Sequence, residues 1–91
     1  ERKTIRLHGR ALDLSRTEYR LLKVLIERPG RVFSRDELME RAWDDPASAF
    51  DRTVDAHVKA LRAKLREAAP DEDPIVTHRG LGYSLREDRG A

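Results

Sequence analysis

Two helix-start signals of the same kind stand in the first half of the chain. In Ser15-Arg-Thr-Glu18 and again in Ser34-Arg-Asp-Glu37, a glutamate follows a serine by three positions. This spacing is typical of a capping box, in which serine and glutamate side chains each bond the other residue's free backbone N–H. Pro29 and Gly30 separate the two signals and end a helix. The chain therefore has to pack at least two short helices close together.

The residues after each signal predict the buried face of each helix. The first predicted helix spans Arg16 to about Arg28, and the second ends before Asp44. Both carry apolar residues at helical spacing. The expected buried residues are Leu21, Leu22, Leu25 and Ile26 in the first helix and Leu38, Met39, Ala42 and Trp43 in the second.

A third helix has the most regular pattern in the chain. Asp51 is a suitable N-cap, and the helix is predicted to run to about Glu67. Apolar side chains recur every three or four residues, so they share one face. The residues of this face are Val54, Val58, Leu61 and Leu65.

Short segments on either side of the helices have residue patterns typical of β-strands, and they predict two β-hairpins. The first pairs Thr4–Leu7 with Ala11–Leu14, and the second pairs Ile75–His78 with Tyr83–Arg86 across a turn that contains two glycines. Three short helices bury their apolar faces only against one another. The expected fold is therefore α+β, a winged helix-turn-helix in a single domain over residues 1–91, with a three-helix core, an N-terminal hairpin and a C-terminal hairpin wing.

Charge is concentrated on the third helix. Residues 51–66 carry five Lys or Arg against two Asp, whereas residues 34–50 and 67–74 are acidic. The side opposite the apolar face is mostly alanine between basic shoulders, which suits a DNA groove because a helix is about as wide as the ~12 Å major groove. Its residues are Arg52, Ala56, Lys59, Ala60 and Ala63, with Asp55, Arg62 and Arg66 on one shoulder and Thr53, His57 and Lys64 on the other. Asp55 is expected to pair with Lys59 or Arg52 on the same helix.

Other classes of function lack their usual signals. The chain has no cysteine, its three histidines lack metal-site spacing, and no P-loop or nucleophile-elbow motif occurs. No apolar run approaches the 18 residues of a membrane span. We therefore expect neither an enzyme nor a metal- or cofactor-binding protein. The alternative to a DNA-binding domain is a winged helix that binds proteins. An acidic or apolar outward face on the third helix would favour this alternative.

Two segments carry a resemblance to a known family. DRTVDAHVKALRAKL at residues 51–65 and IVTHRGLGY at residues 75–83 resemble the effector domain of OmpR/PhoB-type bacterial response regulators. The resemblance extends over about Leu7 to Leu85. It implies a transcription factor of a two-component system, located in the cytoplasm, whose third helix binds the major groove and whose wing binds the minor groove.

The resemblance also implies roles for individual residues. The family pattern suggests Arg52, His57, Lys59 and Arg62 as mainly phosphate or groove contacts, and Thr77 and Arg79 as backbone and minor-groove contacts of the wing. Together with Ala56, Ala60 and Lys64, from the helix geometry, these are the expected DNA-binding residues. Ala60 stands where relatives often have a longer base-reading side chain. The expected RNA polymerase-contact loop consists of Asp44, Asp45, Pro46, Ala47, Ser48, Ala49 and Phe50.

Further expectations concern partners outside the chain. The family implies binding to direct repeats as a head-to-tail dimer, and a receiver domain that a sensor kinase phosphorylates. Because the chain starts with Glu1 and only two strands precede the first helix, we expect it to be a fragment that lacks the receiver domain and further upstream strands.

Overall fold

The computed structural model describes residues 3–7, 10–44 and 51–87, and it has the predicted order of elements. The bounds of the strands and helices are β1 Lys3–Leu7, β2 Arg10–Leu14, α1 Arg16–Glu27, α2 Arg35–Ala42, α3 Asp51–Ala68, β3 Ile75–His78 and β4 Gly82–Leu85. This confirms the predicted α+β winged helix-turn-helix.

Both capping boxes form as predicted. The backbone N–H of Glu18 donates to Ser15 Oγ at 3.1 Å, and Ser15 N–H donates back to Glu18 Oε1 at 2.9 Å. Ser34 and Glu37 repeat the arrangement at 3.1 and 3.0 Å. Each box satisfies two backbone groups that helix ends otherwise leave without partners, so α1 and α2 begin at fixed residues.

The three helices share one hydrophobic core. All four predicted apolar residues of α3 are buried, and they pack with α1, α2 and both hairpins. The prediction that Ile26 lies in the core is wrong, because its side chain is 46% exposed and Val24 is buried instead. At 100° per residue, the buried side of α1 extends from Val24 through Leu21 and Leu25 to Leu22, and Ile26 lies beyond its Leu22 edge.

Helix ends and strand bounds differ from the predictions by one or two residues. Trp43 ends α2 as a half-buried C-cap that packs against the core, so it is not a fully buried residue of that helix. Asp51 is the first residue of α3 and not a cap before it. The fourth strand begins at Gly82, one residue early, because Gly82 pairs with His78. In the predicted polymerase loop, residues 45–50 lie outside the described residues.

The wing is attached to the core through Phe33, in the segment before α2. Phe33 N–H donates to the Tyr83 carbonyl at 2.8 Å, and Tyr83 N–H donates to the Phe33 carbonyl at 3.0 Å. This bridge adds a third backbone segment to the β3–β4 hairpin, in which Thr77 pairs with Tyr83. Among residues 3–7, 10–44 and 51–87, no helix has the length and apolarity needed to cross a bilayer.

Candidate nucleic-acid interface

The outward side of α3 is a low surface with small side chains. Ala56, Lys59, Ala60 and Ala63 are all exposed, opposite the buried apolar stripe, as the helical spacing predicted. The side chain of Arg52 lies outside what the structure describes. Small residues on this side allow another molecule to approach the helix backbone closely, and Lys59 supplies a positive charge beside them.

The wing ends in an exposed turn. Arg79, Gly80 and Leu81 are exposed, and Gly80 has a φ of +77° that favours glycine. The Leu81 N–H donates to the His78 carbonyl at 2.8 Å and closes the turn. Arg79 is therefore presented at the tip of a short hairpin whose backbone is fixed.

One arginine connects α3 to the wing. Arg62 donates to Thr77 Oγ1 at 2.7 Å and to the Ile75 carbonyl at 2.5 Å, both on β3. Arg62 is also 3.5 Å from a carboxylate oxygen of Asp73. Two of the predicted DNA contacts, Arg62 and Thr77, are therefore held together as one unit that fixes the wing beside α3.

A second connection joins α2, α3 and the wing through Asp55. Asp55 Oδ1 accepts hydrogen bonds from Arg35 Nε at 2.8 Å and from the Tyr83 hydroxyl at 2.5 Å. These two residues take the place of Lys59, one of the two partners expected within the helix; the side chain of the other, Arg52, lies outside the described residues. The sequence did not predict Arg35 and Tyr83 as partners of Asp55, because both are distant from it along the chain.

The pKa values in this connection show how it is stabilised. Burial alone would raise the pKa of the Asp55 carboxyl. The hydrogen bonds from Arg35 and Tyr83 lower this pKa by more than burial raises it, so the net pKa lies below its ordinary value. Burial and the Asp55 charge raise the pKa of Tyr83. The ionised form of Asp55 therefore stabilises the folded protein.

The ionisation of Asp55 should make the thermal stability of the domain depend on pH in the acid range. Since the folded pKa of Asp55 is depressed, its contribution is present above the unfolded pKa of about 3.9 and is lost as pH falls through the folded value. Thermal melts between pH 6 and pH 3 should show that Asp55→Asn loses less of its melting temperature over this range than wild type, by about 2–4 °C after allowance for solvent screening. Asp36→Asn, at an exposed carboxylate in the first turn of α2, is the control. Parallel curves for wild type and Asp55→Asn would contradict the assignment.

The opposite shoulder of α3 packs on the end of α2. His57 Nδ1 lies 2.8 Å from the Thr53 carbonyl, which fixes this nitrogen as the donor. The imidazole meets Trp43 edge to face with ring centroids 5.2 Å apart. His57 is therefore held in one orientation, with Nε2 as its second polar atom.

Lys64 is held against the start of α1. Its ammonium donates to Glu18 Oε1 at 2.6 Å and to the Asp13 carbonyl at 3.0 Å. Burial raises the pKa of Glu18, but the Lys64 hydrogen bond and the Ser15 N–H lower it more, so the net pKa is depressed. Lys64 therefore joins α3 to α1 as well as lying on the predicted interface.

The start of the predicted polymerase loop is also held by α1. Asp44 Oδ1 accepts from Arg20 Nη1 at 2.5 Å, and its other oxygen lies 3.6 Å from Arg16 Nη2. The Arg20 hydrogen bond and then the Arg16 charge lower the pKa of Asp44.

In the described part of the chain, no group of three or more His, Asp or Glu side chains is placed to hold a metal ion.

Comparison with known sequences gives one consistent result. Residues 9–85 match the family model described as transcriptional regulatory protein, C terminal. The chain is 59% identical over 75 residues to transcriptional regulatory protein CreB of Escherichia coli strain K12, which covers 82% of this chain and 33% of CreB. It is 45% identical over 87 residues to phosphate regulon transcriptional regulatory protein PhoB of Rhizobium meliloti strain 1021, which covers 93% of this chain and 38% of PhoB. The chain thus spans about a third of the length of these relatives.

Comparison with solved structures agrees. The fold is similar to the DNA-binding domain of response regulator AdeR, solved in complex with an intercistronic region, with a TM-score of 0.83. The two chains are 36% identical, and the match covers 93% of this chain and 86% of the other.

Proposed function

Because the chain belongs to the OmpR/PhoB-type family of transcriptional regulatory C-terminal domains, we propose that it binds double-stranded DNA sequence-specifically and thereby regulates transcription. One observation carries this proposal. The exposed side of α3 combines alanines with Lys59, and Arg79 lies at the exposed tip of a wing that the Arg62–Thr77 hydrogen bond joins to that helix. A small-residue helix flanked by cations suits the major groove, and a narrow hairpin ending in arginine suits the minor groove.

The proposed contacts fall into two groups. Ala56 and Ala60 lie against base edges, while Lys59, with Arg52, supplies phosphate or groove contacts and Arg79 enters the minor groove. The second group consists of side chains that are already held within the protein. Its members are His57, Arg62, Lys64 and Thr77. These residues would meet phosphates with little loss of side-chain freedom, because internal hydrogen bonds fix them before DNA arrives.

Partners beyond DNA belong to the same proposal. Relatives about 2.5 times as long as this chain are named as regulators, which supports a receiver domain controlled by a sensor kinase in the complete protein. We further propose a head-to-tail dimer on direct repeats, an RNA polymerase contact through residues 44–50, a cytoplasmic location and a non-catalytic role.

Selection from randomised duplex DNA tests sequence-specific binding. We expect a repeated half-site in which one position prefers T·A, because the Ala60 methyl has no hydrogen-bonding group and packs against the C5-methyl of thymine. Uracil at that position should weaken wild type a few-fold and leave Ala60→Gly nearly unchanged. Ala60→Arg should shift the preference towards G, for about 1–3 kcal/mol of discrimination. Recovery of unrelated sequences only would contradict sequence-specific binding, and a uracil swap without effect would limit Ala60 to a spacer.

Arg79→Ala tests the wing. Its loss should cost about 1–3 kcal/mol of binding free energy on sites with an A·T-rich flank, where the minor groove is narrow and most negative. Titrations should show a smaller loss on the same half-site with a G·C-rich flank, which is the internal control. Equal affinities of wild type and Arg79→Ala for the A·T-rich site would exclude this contact.

A further inference from the structure

The loop between α3 and β3 brings a carboxylate onto the basic side of α3. Asp73 Oδ1 lies 3.5 Å from Arg62 Nε, and Asp73 Oδ2 lies 4.0 Å from Arg66 Nη2. Arg86 holds this loop, since its guanidinium donates to the Asp73 carbonyl at 3.2 Å and its backbone N–H donates to the Pro74 carbonyl at 2.6 Å. The position of Asp73 beside both arginines is therefore fixed by the backbone.

Three cations of α3 lie beside carboxylates from other parts of the fold. Arg62 and Arg66 share Asp73, and Lys64 is paired with Glu18. Of the α3 cations whose side chains the structure describes, Lys59 alone has no ion pair. The helix is basic in sequence, but in the folded protein three of its cations already have an anionic partner.

We propose that Asp73 sets how strongly this domain binds the DNA backbone, because its carboxylate competes with phosphate for the exposed Arg66 and offsets the charge of Arg62, whose Nε is buried. The inference rests on the proposed DNA binding and adds a residue that acts against it. Phosphate contacts supply affinity without reading sequence. Asp73 therefore lowers affinity for every duplex by a similar factor and leaves the preferred sequence unchanged.

A different role for Asp73 makes the opposite prediction. If its carboxylate were needed to hold Arg62 in position for DNA, removing the charge would weaken binding. The structure favours competition, because Arg62 is already fixed by Thr77 and the Ile75 carbonyl, while Arg66 is exposed and its described ion pair is with Asp73.

The test compares Asp73→Asn with Asp71→Asn. Both substitutions remove one negative charge from the same exposed loop, but the described ion pairs to α3 involve Asp73 and not Asp71. Dissociation constants are measured on a selected duplex and on an unrelated duplex at several salt concentrations. Asp73→Asn should bind both duplexes about fivefold more tightly. The logarithm of its association constant should also fall more steeply with the logarithm of salt concentration, with a slope more negative by about one. Asp71→Asn should change affinity clearly less.

Several results would overturn the inference. These are an affinity of Asp73→Asn equal to or below wild type, an equal gain from Asp71→Asn, or a gain on one duplex only. Arg66→Gln provides a second measurement, since it should cost more affinity in the Asp73→Asn background, where Arg66 is released, than in wild type. Asp73→Ser replaces Asp73→Asn if thermal melts show that the latter is unfolded. Failure of wild type to bind any duplex would instead contradict the proposed function.

Discussion

Replacing Gly82 by alanine should destabilise the domain by roughly 3 kcal/mol or more, the largest effect we expect from a single methyl group. Gly82 has a φ of +147°, and a Cβ built on it would overlap the Phe33 carbonyl oxygen and lie 2.9 Å from Ser34 Cα. Both are backbone atoms, so no side chain can rotate away. The Phe33–Tyr83 bridge has to break or the wing has to move.

The measurement is thermal unfolding, where such a loss corresponds to a fall of about 12 °C or more in a domain of this size. Gly80→Ala is the matched control. Gly80 also has a positive φ, but nothing lies within 4 Å of the position that a Cβ would take there. It should therefore cost only the backbone strain of about 1–2 kcal/mol. Equal melting temperatures for the two variants would show that the close approach to Phe33 does not hold the wing.

Reversing the charge of Lys59 should produce the largest loss of DNA binding. Lys59 is exposed on the outward side of α3 and has no ion pair among the described residues. Lys59→Glu removes a phosphate contact and places an anion in the groove between two rows of phosphates, so the dissociation constant should rise about 100-fold. Folding should be unaffected, because this side chain takes no part in the core.

Arg28→Glu is the control for net charge. Arg28 is exposed at the end of α1, two residues before Gly30, whose N–H donates to the Leu85 carbonyl at the base of the wing. This end of the hairpin is opposite the Arg79 tip. Arg28→Glu should therefore weaken binding only several-fold through long-range repulsion. Similar losses for the two variants would mean that overall charge, and not the surface of α3, determines binding.

Local signals in the sequence predicted most of the fold. Each capping box is contained within four residues, and the buried stripe of α3 follows from helical spacing alone. The same spacing placed Ala56 and Ala60 on the exposed side, where the structure has them. Ile26 was misplaced because spacing gives a direction around a helix, whereas burial also depends on where the neighbouring elements lie.

Contacts between distant residues could not be predicted in this way. Phe33 is a single residue between two helices and gives no strand pattern, yet it pairs with Tyr83. Asp55 has suitable partners on its own helix, so nothing local pointed to Arg35 and Tyr83. These side chains are distant in the sequence and meet through the packing of α2 and the wing against α3. The sequence therefore predicted which side chains of α3 are exposed better than it predicted which side chains are bonded to other parts of the protein.

The salt dependence of duplex binding tests the central claim most directly, namely that α3 and the wing together form a DNA-binding surface. Wild-type protein is titrated with a duplex selected from the randomised pool over a series of salt concentrations. The logarithm of the association constant is then plotted against the logarithm of salt concentration. With about five phosphates neutralised per domain, the slope should be roughly −4 to −5. A slope near zero, or no binding at the lowest salt concentration, would contradict the claim.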